Sequence, residues 1–368
     1  MKAGNAKQLT SARRSVAERE GNMTTSRAEA RVVVDHRPAT KLAGLVTGRL
    51  RSVVALRFSG VYGLVGMIII FSIASPVFWS HPTALTILNS TAIDGILALG
   101  VMVPFAARVI DLQFGNVLGL SIVLTTWFSV NSGLNDWIIA LLVLTICAVL
   151  GAVSGCIVAF MDAGAVVVTL AVGTVALGIG WLVLGSNTES AEFNTSSFAY
   201  VGEGSWLSLP IVVWLMIALA VISYVWFERT ASGRYVRIVG DNKRAALLSG
   251  IRVRLVLVCV LIYSSLIAGV GGLLFTAQTQ FGSNGLGANY LFPVVGAIVL
   301  GSTQIKGRIN VLGTILAVYL IATGTEGVNL LQQGDATWTA NFLAGTLLLL
   351  GIGFRTLDER RQPRRAGR

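Results

Sequence analysis

From residue 59 onward the chain alternates between apolar runs of membrane-spanning length and short polar breaks. The runs fall at 59–79, 84–107, 113–133, 137–160, 165–185, 210–228, 255–277, 290–304, 309–331 and 340–354. A helix rises about 1.5 Å per residue, so about 20 apolar residues cross the hydrocarbon core of a bilayer. The pattern predicts an all-α polytopic membrane protein of about ten transmembrane helices, occupying 58–355. The runs at 290–304 and 340–354 are short, and either extend into their neighbours or stop part-way. Between the sixth and seventh runs lies a stretch far too polar for lipid, 229–254, which reads RTASGRYVRIVGDNKRAALLSGIRVR. It holds seven Lys/Arg and one acid, Asp241.

Composition agrees with that pattern. Of 368 residues 54% are hydrophobic and 12% charged, against about a quarter charged in soluble domains. The net charge of +11 suggests nucleic acid at first sight, but its placement argues otherwise. Twelve Lys/Arg lie within 1–57, six within 355–368 and seven in the 229–254 stretch. The other three are Arg108, Lys306 and Arg308. No basic domain stands apart from the membrane part, so the excess is read as the positive-inside rule, with no nucleic-acid partner. With the N-terminus inside, every Lys and Arg falls in an inner loop or a tail, so an even number of spans with both termini cytoplasmic is expected. Trp79, Trp137, Trp206 and Trp338 then lie near outer boundaries, as an aromatic belt requires.

Residues 1–57 are read as a largely disordered basic cytoplasmic tail, and 356–368 as a second one. No apolar core follows early enough for a secretory signal. The outer loop 186–209 either folds back towards the membrane or meets an external partner. Gly115-xxx-Gly119 and Gly151-xxx-Gly155 have the spacing that lets helices approach closely. Cys147, Cys156 and Cys259 all sit in apolar runs without metal-ligand spacing, and are read as core hydrophobes.

Within the basic stretch a short helix is expected over Lys243–Ser249. Asp241 or Asn242 can cap its first turn, and Gly250 supplies the left-handed residue that ends it. A helix of two turns is not stable alone in water, so a membrane surface or a partner protein must hold it.

The segment GDNKRAALLSGI resembles the cytoplasmic coupling loop of ABC importer permeases of the ribose and simple-sugar type. The residues that carry the resemblance are Gly240, Asn242, Ala245, Ala246, Ser249, Gly250 and Ile251. A second matching segment contains Ile110, Asp111, Leu112 and Gly115, with Gln113 where the family has Ser and Arg108-Val109 where it has Gly-Gly. A third keeps Gly301, Ser302, Gly307 and Gly313 of a glycine-rich turn. The three lie in order across about 60–355.

The resemblance implies a type II-like permease in a bacterial cytoplasmic membrane. It implies a second permease subunit, two cytoplasmic ABC ATPase subunits and an extracytoplasmic sugar-binding protein as partners, beside the lipid bilayer. It also implies that Gly240, Asp241, Asn242, Ala245, Ala246, Leu248, Ser249, Gly250 and Ile251 couple to the ATPase. An Arg at Ala246 is expected to spoil the docking face.

Polar residues inside the spans are the candidates for a translocation path. Asp111 either faces the path or pairs with Arg108 one helical turn back. Thr325, Glu326 and Asn329 form a polar stripe that either lines a sugar path or makes helix–helix hydrogen bonds. The only histidines are His36 and His81, and no phosphate-cradling Gly-x-x-x-x-Gly-Lys motif is present. No catalytic set, metal site or cofactor is therefore expected, and ATP hydrolysis would come from a partner. Two alternatives stay open: the same role with a nucleoside or signalling sugar as cargo, and a secondary transporter whose coupling ion is held by Asp94 and Glu326.

Overall fold

The computed structural model describes residues 59–304 and 308–332, together with 339, 342–343, 345–346 and 349. The two basic tails, Gly307, Trp338 and most of the run 340–354 lie outside the described residues. Throughout the rest the chain is helical, with short strands only in the connections at one end.

The helices are α1 (Ser59–Ala74), α2 (His81–Ala106), α3 (Phe114–Asn131), α4 (Asp136–Phe160), α5 (Ala165–Leu184), α6 (Ser196–Glu203) and α7 (Ile211–Tyr224). A π-helical turn, Val225–Arg229, leads to α8 (Ala231–Asp241) and α9 (Lys243–Leu248). Then come α10 (Val253–Thr279), a 3-10 turn (Leu286–Tyr290), α11 (Leu291–Gln304) and α12 (Val311–Gln332). Among the described residues seven helices are long and apolar enough to cross a membrane, and two more apolar helices are shorter. The chain is an all-α polytopic membrane protein.

Local chemistry sets the ends. The first run stops at Ala74 rather than continuing to 79, because the residue before Pro76 is pushed out of the helical region. Helix α2 starts earlier than the hydropathy suggests, at His81: Ser80 Oγ accepts from Thr83 N at 3.4 Å and Pro82 suits the first turn. Helix α4 is capped by Asn135, whose Oδ1 accepts from Trp137 N at 2.9 Å.

Helix α10 is the hub, packed along α4 and also against α2 and α3. The two glycine pairs read from the sequence find their partners here. A Cβ on Gly151 would lie 2.7 Å from Leu261 O, and one on Gly155 would lie 2.8 Å from Val258 Cα. Gly115 and Gly119 instead receive the 3-10 turn, where a Cβ on Gly287 would sit 1.9 Å from Gly115 O. With no strong hydrophobic force between helices in lipid, such close backbone approach supplies the association. Cys147 is buried as expected, but Cys156 and Cys259 are exposed, so they are surface hydrophobes and not core residues.

The connection 186–209 folds back onto the bundle. Strand β1 (Thr188–Ser190) pairs antiparallel with β4 (Phe281–Ser283), and β2 (Ser205–Trp206) pairs with β3 (Leu209–Pro210). Asp136 Oδ2 accepts from Thr195 N at 2.6 Å, tying the loop to the start of α4. Since α7 and α10 are both spanning helices, this cap and the α8–α9 unit lie at opposite ends of the bundle.

Candidate functional site: the α8–α9 elbow and the break after α2

The stretch 229–254 holds two helices where the sequence suggested one. Thr230 caps α8, with Gly233 N donating to its Oγ1 at 3.5 Å. Gly233, Val236, Val239 and Gly240 form the buried stripe, spaced three to four residues apart as an amphipathic helix requires. That spacing is visible in the sequence, but the density of basic residues obscures it. Arg237 bridges back to Glu228 at 3.1 Å and lies over the Phe227 ring, 4.4 Å from its centroid. The π-helical turn is thus fastened to α8.

Gly240 turns inward, where a Cβ would fall 2.0 Å from Ala106 O and 3.2 Å from Ala107 Cα. The seat of the elbow is therefore the end of α2. Asp241 is the last residue of α8, and the cap of α9 is Asn242. Asn242 Oδ1 accepts from Arg244 N at 3.0 Å and Ala245 N at 3.1 Å. At the other end Ile251 N donates to Ala246 O and Gly250 N to Leu247 O, both at 3.0 Å, with Gly250 at φ +78°. These two bonds are the Schellman pattern that closes a helix on a left-handed glycine. Ser249 Oγ donates to Ala245 O at 2.9 Å.

The exposed side of α9 carries Lys243, Arg244, Ala245, Leu247 and Leu248, with Leu248 92% exposed. Ala246 is fully buried, which corrects the expectation that it forms part of a docking face. A six-residue helix caps itself at both ends, yet only one apolar side chain is covered by this chain.

The α2–α3 connection is not helical, so Asp111 and Arg108 do not pair as a turn apart. Arg108 is exposed at φ +56°, while Asp111 is fully buried. Asp111 Oδ1 accepts from Gln113 N at 3.0 Å, and Gln113 Nε2 donates to Ser265 Oγ at 2.9 Å. Leu112 N donates to Thr169 Oγ1 at 3.2 Å. Non-helical backbone among apolar helices is tolerated only when protein satisfies it; here Thr169 of α5 bonds Leu112 N and Ile110 O, and Asp111 itself takes Gln113 N. Sequence reading missed Thr169, Ser264 and Ser265; the adjacent serines in the seventh apolar run were the available signal.

On α12, Asn329 Nδ2 donates to Glu326 Oε2 at 3.1 Å and Thr339 Oγ1 donates to Asn329 Oδ1 at 2.8 Å. Thr325 Oγ1 donates to Ile321 O at 3.0 Å. The stripe therefore makes local and helix–helix hydrogen bonds, and shares no bonded partner with Asp111. Asp94, on α2, lies within electrostatic reach of Tyr290. No group of three or more His, Cys, Asp or Glu able to hold a metal ion occurs among the described residues.

The family described as "Branched-chain amino acid transport system / permease component" matches residues 83–352. The chain belongs to this family of ABC permeases. The ribose import permease of Haemophilus influenzae is 30% identical over 272 residues, 73% of this chain and 84% of the relative. That of Bacillus subtilis is 30% identical over 291 residues, 79% of this chain and 89% of the relative. The autoinducer 2 import permease of Photorhabdus luminescens is 26% identical over 296 residues, 79% and 88%. No solved structure matches the chain. The resemblance carried by GDNKRAALLSGI is thus borne out for a permease of the ribose and simple-sugar type, and that segment runs from the last two residues of α8 through α9 to Ile251.

Proposed function

We propose that this chain is the transmembrane subunit of an ATP-driven importer of a ribose-like sugar in a bacterial cytoplasmic membrane. Two such subunits, alike or different, flank a central path. Two ATPase subunits bind at the end bearing α8 and α9, and a sugar-binding protein delivers cargo at the other. On this reading about ten spans cross the membrane and both termini are cytoplasmic.

The observation that carries this reading is the exposed face of α9. Leu247 and Leu248 stand bare side by side, 59% and 92% exposed, on a basic helix too polar in its surroundings to enter lipid, and such an apolar face suits a partner surface. Gly240, Asp241, Asn242, Ser249, Gly250 and Ile251 shape the elbow, Ala246 seats it, and Ala245, Leu247 and Leu248 touch the ATPase. ATP-driven closure of the ATPases moves the elbow, and Gly240 passes that movement to the end of α2. Asp111 belongs to the joint next to the path, and Glu326, Thr325 and Asn329 line the path's polar side. The ribose permeases among the relatives favour ribose as cargo, while the autoinducer 2 relative favours a signalling sugar as the second reading.

Site-directed cross-linking from Leu248→Cys in membranes tests the role. Capture of a nucleotide-hydrolysing subunit is expected; labelling of that cysteine only from outside the cell refutes the orientation and the reading with it. Binding assays on the cognate secreted protein decide between ribose and the signalling sugar.

A further inference from the structure

The inner half of α2 is closed off by protein, with one exception. From Thr91 to Pro104 every residue is buried except Asp94, which is half-buried. Asp94 stands at the midpoint of this 26-residue helix, about 20 Å from its start at about 1.5 Å per residue. Its carboxyl makes no hydrogen bond or ion pair among the described residues. Ser90 and Thr86, one and two turns before it on the same face, are exposed. Three polar side chains thus form an open stripe on a helix otherwise packed against α7, α10, α11 and α12.

The stripe has a direction. The elbow is seated on the Ala106 end of α2, and the opposite end begins beside β3 of the cap. The open face therefore runs from the cap end to mid-depth and stops at Asp94. A carboxyl at mid-span does not face hydrocarbon; such groups face the bundle interior or a water-filled path.

The hydrogen-bonding character of the stripe is one-sided. Ser90 Oγ donates to Thr86 O at 2.8 Å, and Thr86 Oγ1 donates to Pro82 O at 3.1 Å. Both hydroxyl protons are committed within the helix, so what faces outward is acceptor lone pairs, on Thr86, Ser90 and Asp94. Tyr290, on the 3-10 turn, has its hydroxyl within electrostatic reach of Asp94, yet no hydrogen bond joins them. The Tyr290 ring is held edge-on to Phe275, with centroids 6.3 Å apart. A hydroxyl group both donates and accepts, so one fits between the Tyr290 O–H and the Asp94 carboxyl. A phosphate or carboxylate brings acceptors alone and meets acceptors.

We propose that Asp94 is the mid-membrane hydrogen-bond acceptor for the hydroxyls of an uncharged polyhydroxyl cargo, which reaches it from the cap end along Thr86 and Ser90. Four residues, or about 6 Å, separate successive acceptors, so a monosaccharide passes from one to the next without losing its last partner first. The inference rests on the importer role proposed above and adds a subsite to it.

Uptake of radiolabelled D-ribose by cells expressing the assembled importer tests the subsite. Asp94→Ala is expected to lower the maximal rate about tenfold or more, the loss of one hydrogen bond to a carboxyl. Leu248→Cys in the same chain should still capture its partner, showing that the subunit assembles. Asp94→Asn keeps an acceptor oxygen and is expected to restore most of the rate. An Asn variant as poor as Ala would overturn the proposal, because charge is then what counts, as for a bound cation. An unchanged rate in Asp94→Ala overturns it as well. Thiol labelling tests the stripe without any cargo, in a chain whose three native cysteines are replaced by alanine. Ser90→Cys is expected to react with a membrane-impermeant maleimide added outside, and Val175→Cys, 57% exposed in the middle of α5, is not. An unreactive Ser90→Cys, or one that oxidises to a disulfide between two copies of the chain, refutes the open stripe. If wild type takes up no ribose while Ser90→Cys is labelled, the cargo named above falls and the water-lined stripe stands.

Discussion

Adding one methyl group to Gly240 tests whether the elbow is seated on α2. The Cβ would sit 2.0 Å from Ala106 O, where real contacts are essentially never under 3.0 Å, so α8 must retreat by at least 3.0 − 2.0 = 1.0 Å. Backbone lies on both sides of the contact, and no rotamer change relieves it. Overpacking of this kind costs about 1–3 kcal/mol, and two facing backbones place it at the upper end. Alanine's better helix propensity offsets about 1 kcal/mol, leaving a net loss of about 2 kcal/mol. The assay is thermal unfolding of the purified chain in detergent, with Gly178→Ala as control because nothing lies within 4 Å of a Cβ there. Gly240→Ala is expected to unfold at a lower temperature than both wild type and the control. In the assembled importer it should retain ATPase capture through Leu248 yet lose transport. A variant as stable as wild type that also transports normally would refute the seating, and with it the route from elbow to break.

Three further substitutions probe neighbouring parts. Asn242→Ala removes the acceptor of two N–H groups at the start of α9 and should cost about 0.5–2 kcal/mol of local stability, read as faster hydrogen exchange at Arg244 and Ala245. Ala246→Arg forces a charge into a fully buried position, so it should disorder α9 and lower expression, whereas Leu248→Arg should fold normally and lose only partner capture. Gly287→Ala would bring a Cβ to 1.9 Å from Gly115 O; a loss of about 1–3 kcal/mol in thermal stability is expected, and an unchanged midpoint would mean that the 3-10 turn is not packed on α3.

The helical character of the apolar runs, the short helix at Lys243 and its glycine stop are all written locally. Each depends on a run of residues or on one side chain acting within a turn or two, so hydropathy and capping rules reach them. The partners of Gly115, Gly119, Gly151 and Gly155 are not local: the spacing announces a close approach, but only the bundle decides that Gly287, Leu261 and Val258 fill it. Ala246 and Leu248 look equivalent in a string of small and apolar residues, and tertiary packing alone turns one inward and leaves the other bare. The break at Asp111 separates the two levels most sharply. Its sequence allows a helical ion pair with Arg108; the fold instead breaks the helix there, buries the carboxyl against the backbone N–H of Gln113, and leaves Arg108 outside. The two residues that follow Asp111 are held by side chains 57 and 152 positions further along the chain, which no local pattern announces.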